Sequence, residues 1–213
     1  MTTIDAGNLV LGDVQRLLHL ERQLNTSFTS LLSLQELTEV ESERLEEIRQ
    51  NFDNYYSEGI VEGQVKFLFL SPLMWLAGYY HSNIKITLEE GIAEINIEEE
   101  DTKIKGRMDI LAARRVAPKQ TIDLLWILLI ESKRIRFDCS VGLPQLLTYA
   151  YKGIEQQESL WGLTTNGMDY QFACIQQGNP PTYQLFPKLS LMYPEQSVQL
   201  LQVLKAICKP HIS

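Results

Sequence analysis

Three stretches decide the architecture: GRMDILAARRV (106–116), IDLLWILLIESKRI (122–135) and GLPQLLTY (142–149). The first two are continuous branched apolar runs, the pattern of strands covered on both faces. Each also carries charge that such a strand cannot bury without a reason. Asp109 sits in the first, Glu131 and Lys133 in the second. Being two apart on a strand, Glu131 and Lys133 leave the same face. The third stretch opens a helix, with Pro144 in its first turn. Gln145, Tyr149 and Lys152 then share one helix face, while Leu143, Leu146, Leu147 and Ala150 are left to pack on the sheet.

Outward from this centre, the chain changes character at Asn83. Upstream it reads as helical. Val14 to Leu24 carries apolar residues at close to a 3.6-residue period. Thr38 and Glu41 form a capping box for a helix that buries Leu45, Ile48 and Phe52. Residues 60–70 are apolar nearly all round, with Glu62 and Lys66 as polar exceptions, and Pro72 is expected to kink or restart that helix. Downstream of Asn83 come IKITLEE, GIAEINIEEE and KIKGRMDILAARRV as strands. LWGLTT, the Asn166-Gly167 turn and DYQFACIQ form a hairpin. PTYQLFP is a last strand and residues 197–207 a closing helix. The order predicts one α/β (α+β) domain with a mixed sheet flanked by helices. Residues 1–57 are read as a helical N-terminal extension and 58–213 as the core. Trp75 and Trp161 are assigned to the apolar interior.

Composition sets the limits. The chain has 213 residues, 45% hydrophobic and 22% charged, with net charge -8, so a uniformly basic nucleic-acid coat is excluded. Cys139, Cys174 and Cys208 are too far apart for a zinc finger or disulfide scaffold. His19, His81 and His211 are scattered and form no metal-ligand pattern. The most apolar stretch (67–80) is too short for a bilayer, and MTTIDAGNLVLGDV lacks a signal-peptide pattern. A cytoplasmic protein with no membrane partner is therefore expected. Charge is uneven: residues 103–136 hold nine Lys/Arg against three acids, a net +6 that leaves -14 elsewhere. The first segment could dock a polyanion while the acidic residues 36–62 face solvent or a protein; both could equally be solvated faces.

Two carboxylates from neighbouring strands supply the hard oxygen ligands that Mg²⁺ prefers, and an adjacent ammonium can orient water or stabilise a transition state. That chemistry suits phosphodiester hydrolysis. A strand-end salt bridge among Asp109, Lys133 and their neighbours uses the same residues and stays open at this point. Glu62, in its apolar helix, needs a cation or a partner.

In order, a helix with Glu62, GRMD ending at Asp109, ESK (131–133) and QLLTY (145–149) resemble the PD-(D/E)XK nuclease superfamily in its QxxxY-bearing branch. The nuclease region of type I restriction enzyme R subunits is the nearest likeness, and SLWGLTTNGMDYQFACI adds to it. The resemblance spans roughly residues 58–175. It implies a restriction-endonuclease-like fold and a Mg²⁺ (or Mn²⁺)-dependent DNA endonuclease. Asp109, Glu131, the Ser132 carbonyl and Glu62 would hold the metal, with Glu58 as fallback for Glu62. Lys133 would be the catalytic lysine. Gln145, Tyr149, Arg107 and Arg134 would contact DNA or support the site. Met108 replaces the motif proline. The chain has no P-loop and no DNA-reading module, so a homodimer or a partner supplying targeting or a motor is expected. The alternative is a catalytically silent nucleic-acid-binding or subunit-interaction module.

Overall fold

The structure, a computed structural model, describes residues 2–24, 27–92, 94–115 and 124–212. β1 (Thr2–Asp5), α1 (Leu11–Leu17), β2 (Glu21–Gln23) and α2 (Glu39–Tyr56) come first. The N-terminal 57 residues are thus not simply helical: β1 joins one sheet and β2 the edge of another. The helix expected over 14–24 stops at Leu17, because His19 takes a left-handed φ of 51° and the chain turns into β2. An apolar spacing alone could not reveal that turn. The capping box is present: Glu41 N–H donates to Thr38 Oγ1 at 3.2 Å and Thr38 N–H to Glu41 Oε2 at 2.8 Å. α2 buries Leu45, Ile48 and Phe52, and its acidic side is exposed.

α3 (Glu62–Gln64) runs through a π-helical turn (Val65–Leu70) into α4 (Ser71–Leu76). The α-helix restarts at Ser71, with Pro72 in its first turn. The wider turn, with Ser71 N–H donating to the Lys66 carbonyl, relieves the clash a proline ring makes with the carbonyl four residues back. The buried positions along this stretch are Val65, Phe69, Leu70, Leu73, Met74 and Ala77. Phe67 and Trp75 are turned outward, 76% and 62% exposed, so this helix is not buried all round and Trp75 is not a core residue.

Next come β3 (Ile84–Gly91), β4 (Ile95–Ile97), β5 (Thr102–Lys105), β6 (Arg107–Arg115), β7 (Leu124–Ser132) and α5 (Leu143–Gly153). β8 (Ser159–Thr165), β9 (Asp169–Gln176), β10 (Thr182–Leu185), β11 (Leu189–Ser190) and α6 (Pro194–Cys208) complete the chain. The stretch 103–116 is two strands, not one: Gly106 separates β5, in a small sheet ordered β1-β5-β4, from β6 in the large one. The large sheet is ordered β2-β10-β9-β8-β7-β6-β3, with β11 paired to β9. β7 and β8 are parallel, joined by the α5 crossover, and β2 is parallel to β10; the other pairs are antiparallel. The sheet is mixed and flanked by helices, an α+β arrangement.

One face packs Phe52, Phe69 and Leu73, with Leu200, Leu201 and Leu204 of α6, against Ile110, Ile130, Leu163 and Phe172. The other packs Leu17 and Leu18 beside α1 and Leu146, Leu147 and Ala150 of α5 against Leu111, Leu129 and Ala173. Trp161 is partly buried against the first core. The three cysteines are buried and free. Among the described residues no helix is long and apolar enough to cross a membrane.

The basic window does not form one patch. Lys119 lies outside the described residues. Of the rest, Arg107 and Arg114–Arg115 stand at opposite ends of β6, about 23 Å apart at the rise of an extended strand.

Candidate active site

The β6–β7 register pairs Ile110 with Ile130, and its continuation sets Asp109 across from Glu131. Like charges directly opposite in a sheet repel, so a cross-strand carboxylate pair is a costly choice unless something cationic shares it. Both residues are buried, Glu131 to 1% exposure. Asp109 Oδ2 accepts from Ser132 N–H at 2.8 Å and from Ser132 Oγ–H at 2.9 Å. Its Oδ1 accepts from Lys66 Nζ at 2.8 Å. Glu131 Oε1 meets Lys133 Nζ at 2.6 Å, whereas Glu131 Oε2 is buried with no hydrogen-bond partner. Burial, and then the charge of Asp109, push the Glu131 carboxyl up to about 8, more than Lys133 pulls it down.

β7 continues past Ser132 by one more bond, Lys133 N–H to the Thr165 carbonyl at 2.8 Å, which fixes the start of the lysine side chain. Its far end is fixed by α5. Lys133 Nζ donates to Gln145 Oε1 at 3.1 Å, and Gln145 Nε2 donates to the Tyr149 hydroxyl at 2.7 Å. Arg107 N–H reaches the same hydroxyl at 3.1 Å. Burial raises the Tyr149 phenol to about 12, so it stays neutral. The helix face expected from spacing is therefore real, but Tyr149 is fully buried rather than solvated.

Gly106 makes room for this chain of contacts. A Cβ there would lie 2.6 Å from the Tyr149 hydroxyl and 2.8 Å from its ring. Gly106→Ala is expected to displace Tyr149, break its bond to Arg107 and cost about 1–3 kcal/mol. Urea denaturation beside wild type measures this; an unchanged midpoint would contradict the packing described.

These residues line a cavity of about 670 Å³ together with Asp5, Glu62, Glu89, Glu94 and Lys105. Glu62 stands 3.3 Å from Lys66, at the mouth rather than deep within. Arg107 lines the wall with its Nε 3.0 Å from Glu89 Oε2. Arg134 and Glu58 are exposed and outside the cavity wall, so neither shares the site with the others. Two residues were not foreseen as part of it. Lys66 was noted only as a polar break in an apolar helix. Glu89 belongs to an ordinary-looking strand, and only its left-handed φ of 54° turns it toward Lys66 at 2.7 Å.

The donor chemistry fits a hard divalent cation. Six carboxylates line the cavity against Lys105, Arg107 and Lys133, so the wall is net acidic, and the buried Glu131 Oε2 lacks a partner. Asp109 Oδ1 and Glu131 Oε2 are the oxygens that could serve, while Glu62 is paired with Lys66. Among the described residues no three His, Cys, Asp or Glu side chains stand ready to enclose a metal as they are. Comparison with protein-family models and with curated proteins finds no match.

Proposed function

We propose that this protein is a Mg²⁺- or Mn²⁺-dependent nuclease of the PD-(D/E)XK type, with a restriction-endonuclease-like core. One observation carries the reading: Asp109 and Glu131 face each other across β6 and β7 with a buried unpartnered oxygen, and Lys133 is tethered beside them. An acidic wall alone would repel a phosphodiester, so binding a polyanion there requires a cation first. Asp109 and Glu131 would hold a divalent metal, which when bound would supply charge neutralisation at the scissile phosphate and a water of lowered pKa. Lys133 keeps its ammonium within reach of that phosphate, where it steadies developing negative charge. Gln145 and Tyr149 hold Lys133 in place, and Arg107 and Lys105 offer charge to flanking phosphates. Cutting both strands of DNA takes two such sites, hence a homodimer or a partner.

The test is calorimetric titration with Mg²⁺ and Mn²⁺ of wild type and of Asp109→Ala/Glu131→Ala, with plasmid cleavage in the same buffers. Wild type is expected to bind metal and nick plasmid, and the double variant to do neither. Metal binding without cleavage of DNA or RNA would favour the silent-module reading; no metal binding would remove the nuclease reading.

A further inference from the structure

Asp109 has two carboxylate oxygens, and they are not equivalent. Oδ2 is committed to the backbone and hydroxyl of Ser132. Oδ1 is the oxygen left for a metal, and it is held by Lys66 at 2.8 Å. The same ammonium lies 2.7 Å from Glu89 and 3.3 Å from Glu62, so three carboxylates surround one nitrogen. A cation already occupies the place where a cation is wanted.

Two uncommon backbone features converge on this contact. Lys66 sits in the π-helical turn, a rare local geometry that recurs at functional positions. Glu89 is a non-glycine residue with left-handed φ, a conformation that costs energy and persists only where its surroundings enforce it. Arg107 secures Glu89 from the other side. The first brings the Lys66 ammonium to Asp109, and the second sets Glu89 against the same ammonium. On the neighbouring strand, opposite Asp109, the buried Glu131 Oε2 has no partner. The half of the donor pair that Lys66 touches is satisfied; the other half is not.

We propose that Lys66 is a resident counter-ion that keeps the metal-free site closed, and that a divalent cation enters by displacing its ammonium from Asp109 onto Glu62 and Glu89. This rests on the metal-dependent reading above and adds the step that reading lacks. A dication and an ammonium on one carboxylate oxygen repel each other, so the two occupy Oδ1 in turn. The two remaining carboxylates keep the ammonium paired after it moves, which avoids the cost of stranding a charge in a half-buried place.

The experiment is Mn²⁺ titration by calorimetry of wild type and Lys66→Met, each checked for native fold by near-ultraviolet circular dichroism. Alongside it, ¹⁵N–¹H NMR of lysine ammonium groups is recorded on wild type with and without saturating Mg²⁺. Lys66→Met is expected to bind Mn²⁺ about tenfold tighter or more. In wild type a slowly exchanging Lys66 ammonium signal is expected without metal, shifted or lost with it. Tighter binding by the variant supports the latch even if wild type binds too weakly to measure. Unchanged or weaker binding by a folded variant, or a Lys66 signal indifferent to saturating Mg²⁺, overturns it while the metal site stands. Absence of binding by both proteins removes the latch together with the nuclease reading.

Discussion

Lys133→Met is expected to lower plasmid cleavage by about 10²–10³-fold while leaving metal binding within a few-fold of wild type. The side chain reaches the cavity from the end of β7, tied at its backbone to Thr165 and at its ammonium to Glu131 and Gln145. Methionine keeps the stem and its packing but removes the charge. It also frees Glu131 Oε1 from its only cationic partner, which favours metal binding and opposes the loss of an electrostatic contact elsewhere. Single-turnover cleavage at saturating Mg²⁺ separates the two effects. A rate within threefold of wild type would mean that the ammonium serves structure and not the reaction.

Glu131 predicts an unusual dependence of stability on pH. Its carboxyl titrates near 8 in the folded protein, raised chiefly by burial and by Asp109, against an ordinary value near 4.5. The folded state therefore holds a proton that the unfolded state has released, and stability falls as pH rises from about 4.5 to about 8. The full shift corresponds to at most about 5 kcal/mol. Glu131→Gln keeps the shape and cannot ionise. It is expected to flatten that slope and to leave the protein more stable than wild type above pH 8 in metal-free buffer. Urea denaturation at pH 5, 7 and 9 measures the difference. Parallel slopes for the two proteins would show that Glu131 ionises freely. In wild type, Mg²⁺ at neutral pH is expected to restore stability and release close to one proton, read from calorimetry in buffers of different ionisation enthalpy.

The parts of the site that could be read from the chain are those whose geometry is local. Two residues apart on a strand means one face, and four apart on a helix means one stripe; those rules brought Glu131 to Lys133 and Gln145 to Tyr149. Asp109 opposite Glu131 needed only that two apolar runs pair. Lys66 and Glu89 escaped because their roles depend on a widened helical turn and a left-handed residue, neither of which follows from side-chain polarity. Trp75 misled because an apolar ring in an apolar stretch does not say which face it takes: Leu73 and Met74 are buried while Trp75 is exposed. The error over 14–24 has the opposite cause: Val14 and Leu17 are buried in α1, but Leu18 and Leu20 are buried from the turn at His19 that precedes β2, and Leu24 is exposed. Arg134, which the resemblance implies as a DNA contact, follows the strand end, is exposed and is not part of the cavity wall.

The separation of arginines along β6 bears on how such an enzyme would find its substrate. Sliding along a duplex needs a track of cations that exchanges phosphates continuously, so that each step costs little. Among the described residues the positive groups near the cavity are few, Lys66, Lys105, Arg107 and Lys133, and those at the far end of β6 belong to a different part of the surface. The acidic outer side of α2 and the net charge of -8 would repel a duplex approaching from elsewhere. Under the nuclease reading proposed above, search along a duplex would fall to another molecule, and this chain would act on a phosphate brought to it.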